Sequence, residues 1–353
     1  MNNYYDYAAS TPVSKYVLDA MHPWYNEKFA NPSAAHNEGQ QAFRAIEESR
    51  KIIADKIGAM PSEIIFTSGA SEANNMALKG IAFQFLDKKC HIITSSIEHK
   101  CILNTCHFLE QIGFEITYIS PNKFGEISPN EVKKAIRDNT KLISIHHVNN
   151  ELGTIQPILD IGSIAFKYGI VFHTDAAQSF CKLDIDVDDM DIDMLSLSGH
   201  KIYGPKGIGA LYIRNARASN LVPLIHGGGQ ELGLRGGTSP TPLIVGLGAA
   251  VNSFPKNRSK QQYEFEQIIK DYNISRNGGT NVISSIWNIT FEDTHEAQHF
   301  KKELQWVISQ GSACNAISND ASHVLSAIGY SDDKARITYR ISLPPVYLGN
   351  KPY

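Results

Sequence analysis

The chain of 353 residues contains few cysteines, and their spacing matches neither a disulfide framework nor a metal site. The five are Cys90, Cys101, Cys106, Cys181 and Cys314, an odd number with no CxxC pair among them. We therefore expect reduced thiols and no zinc centre.

The sequence also lacks long apolar runs and an excess of one charge. No segment reaches the roughly 18 consecutive apolar residues of a membrane helix, and the start MNNYYDYAAS has no signal-like pattern. With 33 basic and 36 acidic residues, the net charge is -3. These absences argue against a membrane protein, an exported protein and direct nucleic-acid binding, and they predict a cytoplasmic location.

Short β-branched runs alternate with helical stretches between about residues 62 and 213. The predicted strands are IIFTS, HIITSS, FEITYIS, KLISIHHV, IVFHTDA, MLSLS and GALYI. Helical spacing lies between them, for example from Ser71 to Phe85 and from Pro157 to Tyr168. Apolar strands with helical crossovers predict an α/β domain built on a mainly parallel sheet.

The pattern changes after Pro240, where a helical run and a charged stretch precede one strand candidate, NVISSIWNITF, and a short helix, VLSAIG. This predicts a smaller α+β domain. We assign residues 15–245 to the large domain and residues 1–14 with 246–353 to the small one.

A lysine with small and hydrogen-bonding neighbours directly follows one predicted strand, in SGHKIYGPKG. Strand ends are where α/β sites lie, and Lys201 there is suited to a Schiff base with a carbonyl cofactor. Ser198 and His200 are placed to donate to a phosphate beside it. A lysine after a strand is otherwise an ordinary solvated loop residue.

Four other strand ends carry polar groups that suit the same cofactor. Asp175 closes IVFHTDA, where a carboxylate can pair with a protonated pyridine nitrogen, and Gln178 follows it. In TSGASEANN, Ala70 and Ser71 begin a helix whose first N–H groups can bind an anion. SIEHK and HVNNELG add His99 and Asn150. Each feature also has a structural explanation, but together they indicate one phosphorylated aromatic cofactor.

These residues resemble the class V aminotransferase group of pyridoxal-phosphate enzymes, and within it the cysteine desulfurases of the iron-sulfur assembly type. The resemblance runs through YYDYAASTPV, NPSAAH, FTSGASEANN, SSIEHK, HHVNNELG, HTDAAQS, SGHKIYGPKGIGALYIR, HGGGQELGLRGGT, GSACNA and YRISL. It covers nearly the whole chain and implies a fold-type I enzyme.

The resemblance also implies roles for individual residues. Lys201 would bind pyridoxal 5'-phosphate covalently, Asp175 would pair with its ring nitrogen, Gln178 would bond its ring oxygen, and His99 would lie over the ring and move protons. The phosphate would be held by Ser71, Ser198, His200 and Thr238. Thr238 would come from a neighbouring subunit, which implies a homodimer. Asn150 and Arg340 would fix the substrate L-cysteine, with the guanidinium of Arg340 binding its carboxylate.

Cys314 lies in SQGSACNAISND, a run of small and polar residues without a helix or strand pattern. Such surroundings predict a mobile, exposed thiol, whereas Cys90 and Cys181 lie in or beside strand-like segments. In the family that the chain resembles, the GSAC cysteine takes sulfur from bound cysteine as a persulfide, and alanine is released.

Compared with the family pattern, we expect the chain to lack a further helical segment after Arg340. The stretch between Thr238 and Cys314 is compact, and LPP stands where a Gly-Arg pair is common. We therefore expect sulfur to pass to a dedicated acceptor protein rather than to a general iron-sulfur scaffold. Related compact desulfurases serve DNA phosphorothioate modification, and this chain fits that group.

Two other interpretations stay open at the level of sequence. One is a different pyridoxal-phosphate reaction on the same fold, such as selenocysteine lysis or transamination. The other is a non-catalytic partner protein that has kept the fold.

Overall fold

In the computed structural model, residues 3–310 and 322–348 are described. Within these ranges the strands are β1 Ile64–Thr67, β2 His91–Ser95, β3 Glu115–Ile119, β4 Thr140–Ser144, β5 Val171–Asp175, β6 Met194–Ser198, β7 Gly209–Ile213, β8 Ile274–Arg276, β9 Ile286–Phe291 and β10 Thr338–Ser342. All seven strands predicted between residues 62 and 213 are confirmed as β1 to β7.

The helices in the described ranges are α1 Lys15–Met21, α2 Pro23–Asn26, α3 Asn37–Lys56, α4 Ala70–Ala82, α5 Lys100–Gln111, α6 Pro129–Lys134, α7 Ile158–Tyr168, α8 Thr241–Asn252, α9 Lys260–Ile268, α10 Thr294–Leu304, α11 His323–Ala327 and α12 Asp332–Arg336. None of them is long and apolar enough to cross a membrane.

The large sheet has the order β1-β7-β6-β5-β4-β2-β3. Strands β2 to β6 run parallel, and β7 is antiparallel to both β1 and β6. Six strands therefore end at the same edge, which confirms the mainly parallel α/β architecture. That edge is where the polar strand ends of the sequence come together.

Successive side chains of each strand point to opposite faces of the sheet, so the core has two layers, one on each face. Ile64 and Phe66 pack in one layer with α3, α7 and α8, whereas Ile65 packs in the other with α4 and α5. All four residues of β1 are buried. A parallel sheet that is covered on both faces explains why its strands are continuously apolar rather than alternating.

The second sheet has the order β10-β9-β8 and is antiparallel. Aromatic residues from α9, α10 and the sheet form its core, for example Phe265, Phe300 and Phe291. Tyr5, near the start of the chain, stacks on Trp306 with ring centroids 4.0 Å apart. These contacts associate the first residues with the second sheet, while the division at residue 245 stays a prediction.

Candidate active site

A cavity of about 460 Å³ opens at the edge where the parallel strands end. It brings together ten of the residues singled out from the sequence: Ala70, Ser71, His99, Asn150, Asp175, Gln178, Ser198, His200, Lys201 and Arg340. Thr238 is exposed and is not among the described residues that line the cavity, and Cys314 lies outside the described residues. Their roles stay predictions.

Lys201 ends the short turn Gly199–Lys201 that directly follows β6. Its Nζ donates to the carbonyl oxygen of Ala8 and, at 3.0 Å, to that of Ala9. The N-terminal segment is held against this turn, because Thr11 donates from its N–H to the carbonyl oxygen of His200 at 2.9 Å. The first residues of the chain thus form part of the wall around the lysine.

Asp175 lies at the end of β5 and is 7% exposed. Its Oδ1 accepts from the N–H of Ala177 at 2.9 Å, and its Oδ2 accepts from Nδ2 of Asn74 at 2.7 Å. Asn74 is buried in α4, and no local pattern assigned it to the site, although it lies in the motif TSGASEANN. Its amide holds the carboxylate at the base of the cavity.

His99 caps α5, and its Nδ1 accepts from the N–H of Cys101 at 3.2 Å. The Sγ of Cys101 lies 3.0 Å from the same nitrogen. Burial lowers the pKa of His99, the negative charge of Asp175 opposes that shift, and the positive charge of Lys201 adds to it. The ring is therefore neutral near pH 7, and its proton is on Nε2 because Nδ1 is an acceptor.

Cys101 is a second residue that no sequence pattern assigned to the site. It lies in α5, two residues after His99, and it lines the cavity. Its Sγ accepts from Nδ2 of Asn74 at 3.2 Å, and burial, followed by the charge of Asp175, raises its pKa to about 12. It is thus a protonated thiol that connects the surroundings of His99 and Asp175.

An anion-binding corner is formed by the start of α4 and the end of β6. Gly69, the residue before α4, has φ of 151°, and a Cβ there would point into the space 3.8 Å from Oγ of Ser198. Ser71, in the first turn of α4, and His200, two residues after Ser198, also line the cavity. Helix N–H groups and hydroxyl donors suit a phosphate, and a glycine leaves room for it.

Arg340 lies on β10 and is 1% exposed, so the second sheet contributes one side chain to this cavity. Its Nη1 donates to the carbonyl oxygen of Asn150 at 3.0 Å. Its Nε is buried and has no hydrogen-bond partner among the described residues. A buried N–H without a partner is a position where an anionic substrate group gains a hydrogen bond.

This combination of strand-end lysine, carboxylate and anion corner fits pyridoxal phosphate. The chain matches the family model for aminotransferase class-V from residue 3 to residue 344. It therefore belongs to the class-V aminotransferase family, whose members depend on this cofactor.

Within that family the chain belongs to the cysteine desulfurases. It is 45% identical over 353 residues to a cysteine desulfurase IscS of Dictyoglomus turgidum, covering 96% of this chain and 89% of that protein. It is 44% identical over 357 residues to a mitosomal cysteine desulfurase of Trachipleistophora hominis, with coverages of 96% and 81%.

A solved structure described as SspA in complex with cysteine is 68% identical to this chain. The two share a TM-score of 0.97, and the match covers 98% of this chain and 100% of that one. These relatives favour the desulfurase interpretation over selenocysteine lysis, transamination and a non-catalytic partner protein.

Proposed function

We propose that this cysteine desulfurase converts L-cysteine to L-alanine by passing the sulfur to Cys314, with Lys201 as the residue that binds pyridoxal phosphate. The single observation that carries the proposal is the cavity that joins Lys201, Asp175 and Arg340. The bound cofactor would supply an electron sink for the carbon skeleton of the substrate.

The side chains that line the cavity would have separate roles in binding the substrate and the cofactor. Arg340 would receive the substrate carboxylate on its buried guanidinium and orient the amino acid. Asp175 would face the ring nitrogen, while Ser71, Ser198 and His200 would hold the phosphate in the anion corner. Burial, followed by the charge of Lys201, lowers the pKa of His200 to about 4, so its ring is neutral at pH 7 and bonds the phosphate without adding charge.

His99 would deliver and accept protons at Nε2, because its Nδ1 is occupied by the N–H of Cys101. Sulfur transfer would begin when the Cys314 thiolate attacks the sulfur of bound cysteine. The new S–S bond forms as the C–S bond breaks, its electrons pass to the carbon skeleton, and protonation there gives alanine. One cysteine and one enzyme thiol thus become one alanine and one enzyme persulfide.

The decisive experiment is mass spectrometry of the purified enzyme after exposure to L-cysteine. We expect one additional sulfur atom on the peptide containing Cys314, and none in the variant Cys314→Ser. That variant should keep the visible absorbance of the lysine-bound cofactor, which borohydride should discharge. Normal alanine formation by Cys314→Ser would contradict the proposal.

We also propose that Thr238 completes the phosphate site of a second copy of the chain, so that the enzyme is a homodimer. In support, Thr238 is exposed, and two ion pairs fix the segment that precedes it. Glu231 pairs with Arg50 at 2.8 Å, and Arg235 pairs with Glu72 at 2.9 Å. Mixing Lys201→Ala and Thr238→Ala subunits tests this, because a mixed dimer would contain one intact site. No recovery of activity on mixing would contradict it.

The sulfur acceptor, in this proposal, is a dedicated protein that serves DNA phosphorothioate modification. The sequence difference at Leu343, Pro344 and Pro345 supports a distinct acceptor, and this segment is held in place. The N–H of Leu343 donates to the carbonyl oxygen of Ser285 at 2.8 Å, and Tyr203 donates to that of Pro345 at 3.3 Å. The cytoplasmic location expected from the sequence stays a prediction.

A deletion strain tests the acceptor class. Phosphorothioate linkages in its DNA should disappear and return with the wild-type gene but not with Cys314→Ser. Unchanged DNA sulfur, together with rapid sulfur transfer from the enzyme to purified iron-sulfur scaffold protein, would contradict this assignment.

A further inference from the structure

Lys182 is a buried lysine that none of the steps above uses. It is 2% exposed and lies four residues beyond Gln178, in the turn that follows β5. Burying an amine of this kind costs free energy unless hydrogen bonds offset the loss of water. Its position close to the cofactor cavity calls for a physical explanation.

A row of hydrogen bonds connects Lys182 to the catalytic lysine. The Nζ of Lys182 donates to Oε1 of Gln178 at 2.9 Å, and Nε2 of Gln178 donates to the carbonyl oxygen of Ala8 at 2.9 Å. The same carbonyl oxygen accepts from Nζ of Lys201. One side-chain amide and one backbone carbonyl therefore join the two lysines.

This row determines which way the amide of Gln178 faces. The Nζ of Lys182 donates, whereas the carbonyl oxygen of Ala8 only accepts, so each end of the amide has a single compatible partner. A flipped amide would place Oε1 against the carbonyl oxygen of Ala8 and Nε2 against Nζ of Lys182. Both contacts would be unfavourable in a buried site.

We propose that Lys182 is a positioning residue that holds the amide of Gln178 so that its second Nε2 hydrogen is available to the ring oxygen of pyridoxal phosphate. The inference rests on the proposed cofactor contact of Gln178, a residue that lines the cavity. Lys182 itself is not among the described residues that line the cavity, so it acts through Gln178.

The surroundings of Lys182 are consistent with this role at both charge states. Burial, followed by the positive charge of Lys201, lowers the pKa of Lys182 to about 7. A neutral amine can still donate to Oε1, and the carbonyl oxygen of Ala8, which only accepts, still disfavours the flipped amide, so the orientation is kept on both sides of that value. The backbone is also fixed, because the carbonyl oxygen of Lys182 accepts from the N–H of Leu348 at 2.9 Å.

The test uses the holoenzyme and the variants Lys182→Met and Gln178→Ala, singly and together. Methionine keeps the length of the side chain without its donor, and Lys133→Met on an exposed position of α6 is the matched control. The readouts are the dissociation rate of the cofactor and the visible absorbance of the lysine-bound cofactor. Melting temperature shows that each variant is folded.

We expect Gln178→Ala and Lys182→Met each to accelerate cofactor dissociation about fivefold and to shift the absorbance in the same direction. In the Gln178→Ala background, Lys182→Met should add nothing, because its partner is already gone. Lys182→Arg keeps a donor at this position, so its absorbance should lie closer to that of the wild type than the absorbance of Lys182→Met does.

Two results would overturn the inference while leaving the cofactor contact of Gln178 intact. One is an effect of Gln178→Ala without any effect of Lys182→Met. The other is an effect of Lys182→Met that is undiminished in the Gln178→Ala background. If Gln178→Ala itself changes neither readout, the proposed contact of Gln178 is wrong, which is a separate failure.

Discussion

The Nη2 of Arg340 lies 2.7 Å from Oδ1 of Asp6, so an ion pair joins the second sheet to the N-terminal segment. The two side chains are only 2% and 14% exposed. The same guanidinium bonds the carbonyl oxygen of Asn150, which follows β4 of the large sheet. Asp6 therefore fixes the residue proposed to bind substrate at the point where both sheets meet.

Replacing Asp6 with Asn should lower the free energy of unfolding by about 2 kcal/mol, because it leaves a buried guanidinium without its anion. Denaturant unfolding measures the change. Asp19→Asn is the control, since Asp19 pairs with Lys15 where both side chains are exposed, and its loss should cost under about 0.5 kcal/mol. Equal effects of the two substitutions would contradict the importance of the buried pair.

Asn74→Ala should lower kcat/KM about tenfold, because Asp175 loses the amide that holds its Oδ2 at 2.7 Å. The visible absorbance of the lysine-bound cofactor should shift as well, since Asp175 is proposed to contact the ring nitrogen. Asn139→Ala removes an amide that donates to the exposed Glu115 and is the control. Unchanged absorbance in Asn74→Ala would argue against this role for Asn74.

The thiols of the described cysteines should react slowly in the folded enzyme. Burial raises the pKa of Cys90 to about 11 and those of Cys101 and Cys181 to about 12, and it also raises that of Cys106. Thiolate is the reactive form. A chromogenic disulfide reagent at pH 7.5 should therefore titrate about one fast thiol in the wild type and none in Cys314→Ser.

In denatured Cys314→Ser, the four remaining thiols should all react with the reagent, which would show that the reagent was not limiting. Fast reaction of a thiol in folded Cys314→Ser would mean that one of the four is activated.

Acid should destabilise the fold partly through His173, which is buried between Oγ of Ser144 at 2.8 Å and Oγ of Ser196 at 2.9 Å. Burial lowers its pKa to about 3. Above pH 6.5 both folded and unfolded states are neutral at this residue. Between pH 6.5 and about 3 only the unfolded state binds the proton, so stability falls as pH falls.

Between pH 6.5 and pH 5, the free energy of unfolding should therefore fall by about 2 kcal/mol less in His173→Gln than in the wild type. The reason is that one proton contributes about 1.4 kcal/mol for each pH unit. Denaturant unfolding at the two pH values measures it. The exposed His107 provides the control His107→Gln, and the slope should change more in His173→Gln than in this variant. An unaltered slope in His173→Gln would show that another group controls acid unfolding.

The sequence predicted the parallel sheet and most of the site because both depend on local patterns. Strands buried on both faces read as apolar runs, and parallel strands bring their ends to one edge, so Lys201, Asp175, His99 and Asn150 were placed together before any coordinates. The family resemblance supplied Arg340 and Cys314, which no local pattern assigns to that edge.

Tertiary structure alone decided the contacts between residues far apart in the chain. Asn74 with Asp175, Asp6 with Arg340, and Ala8 with both Gln178 and Lys201 are pairs from separate elements. Neither their distances nor the burial of Lys182 follows from spacing, because desolvation and hydrogen-bond geometry depend on how the elements pack. The sequence by itself determined which functional groups lie at the strand ends, and the packing of the elements decided how those groups are oriented.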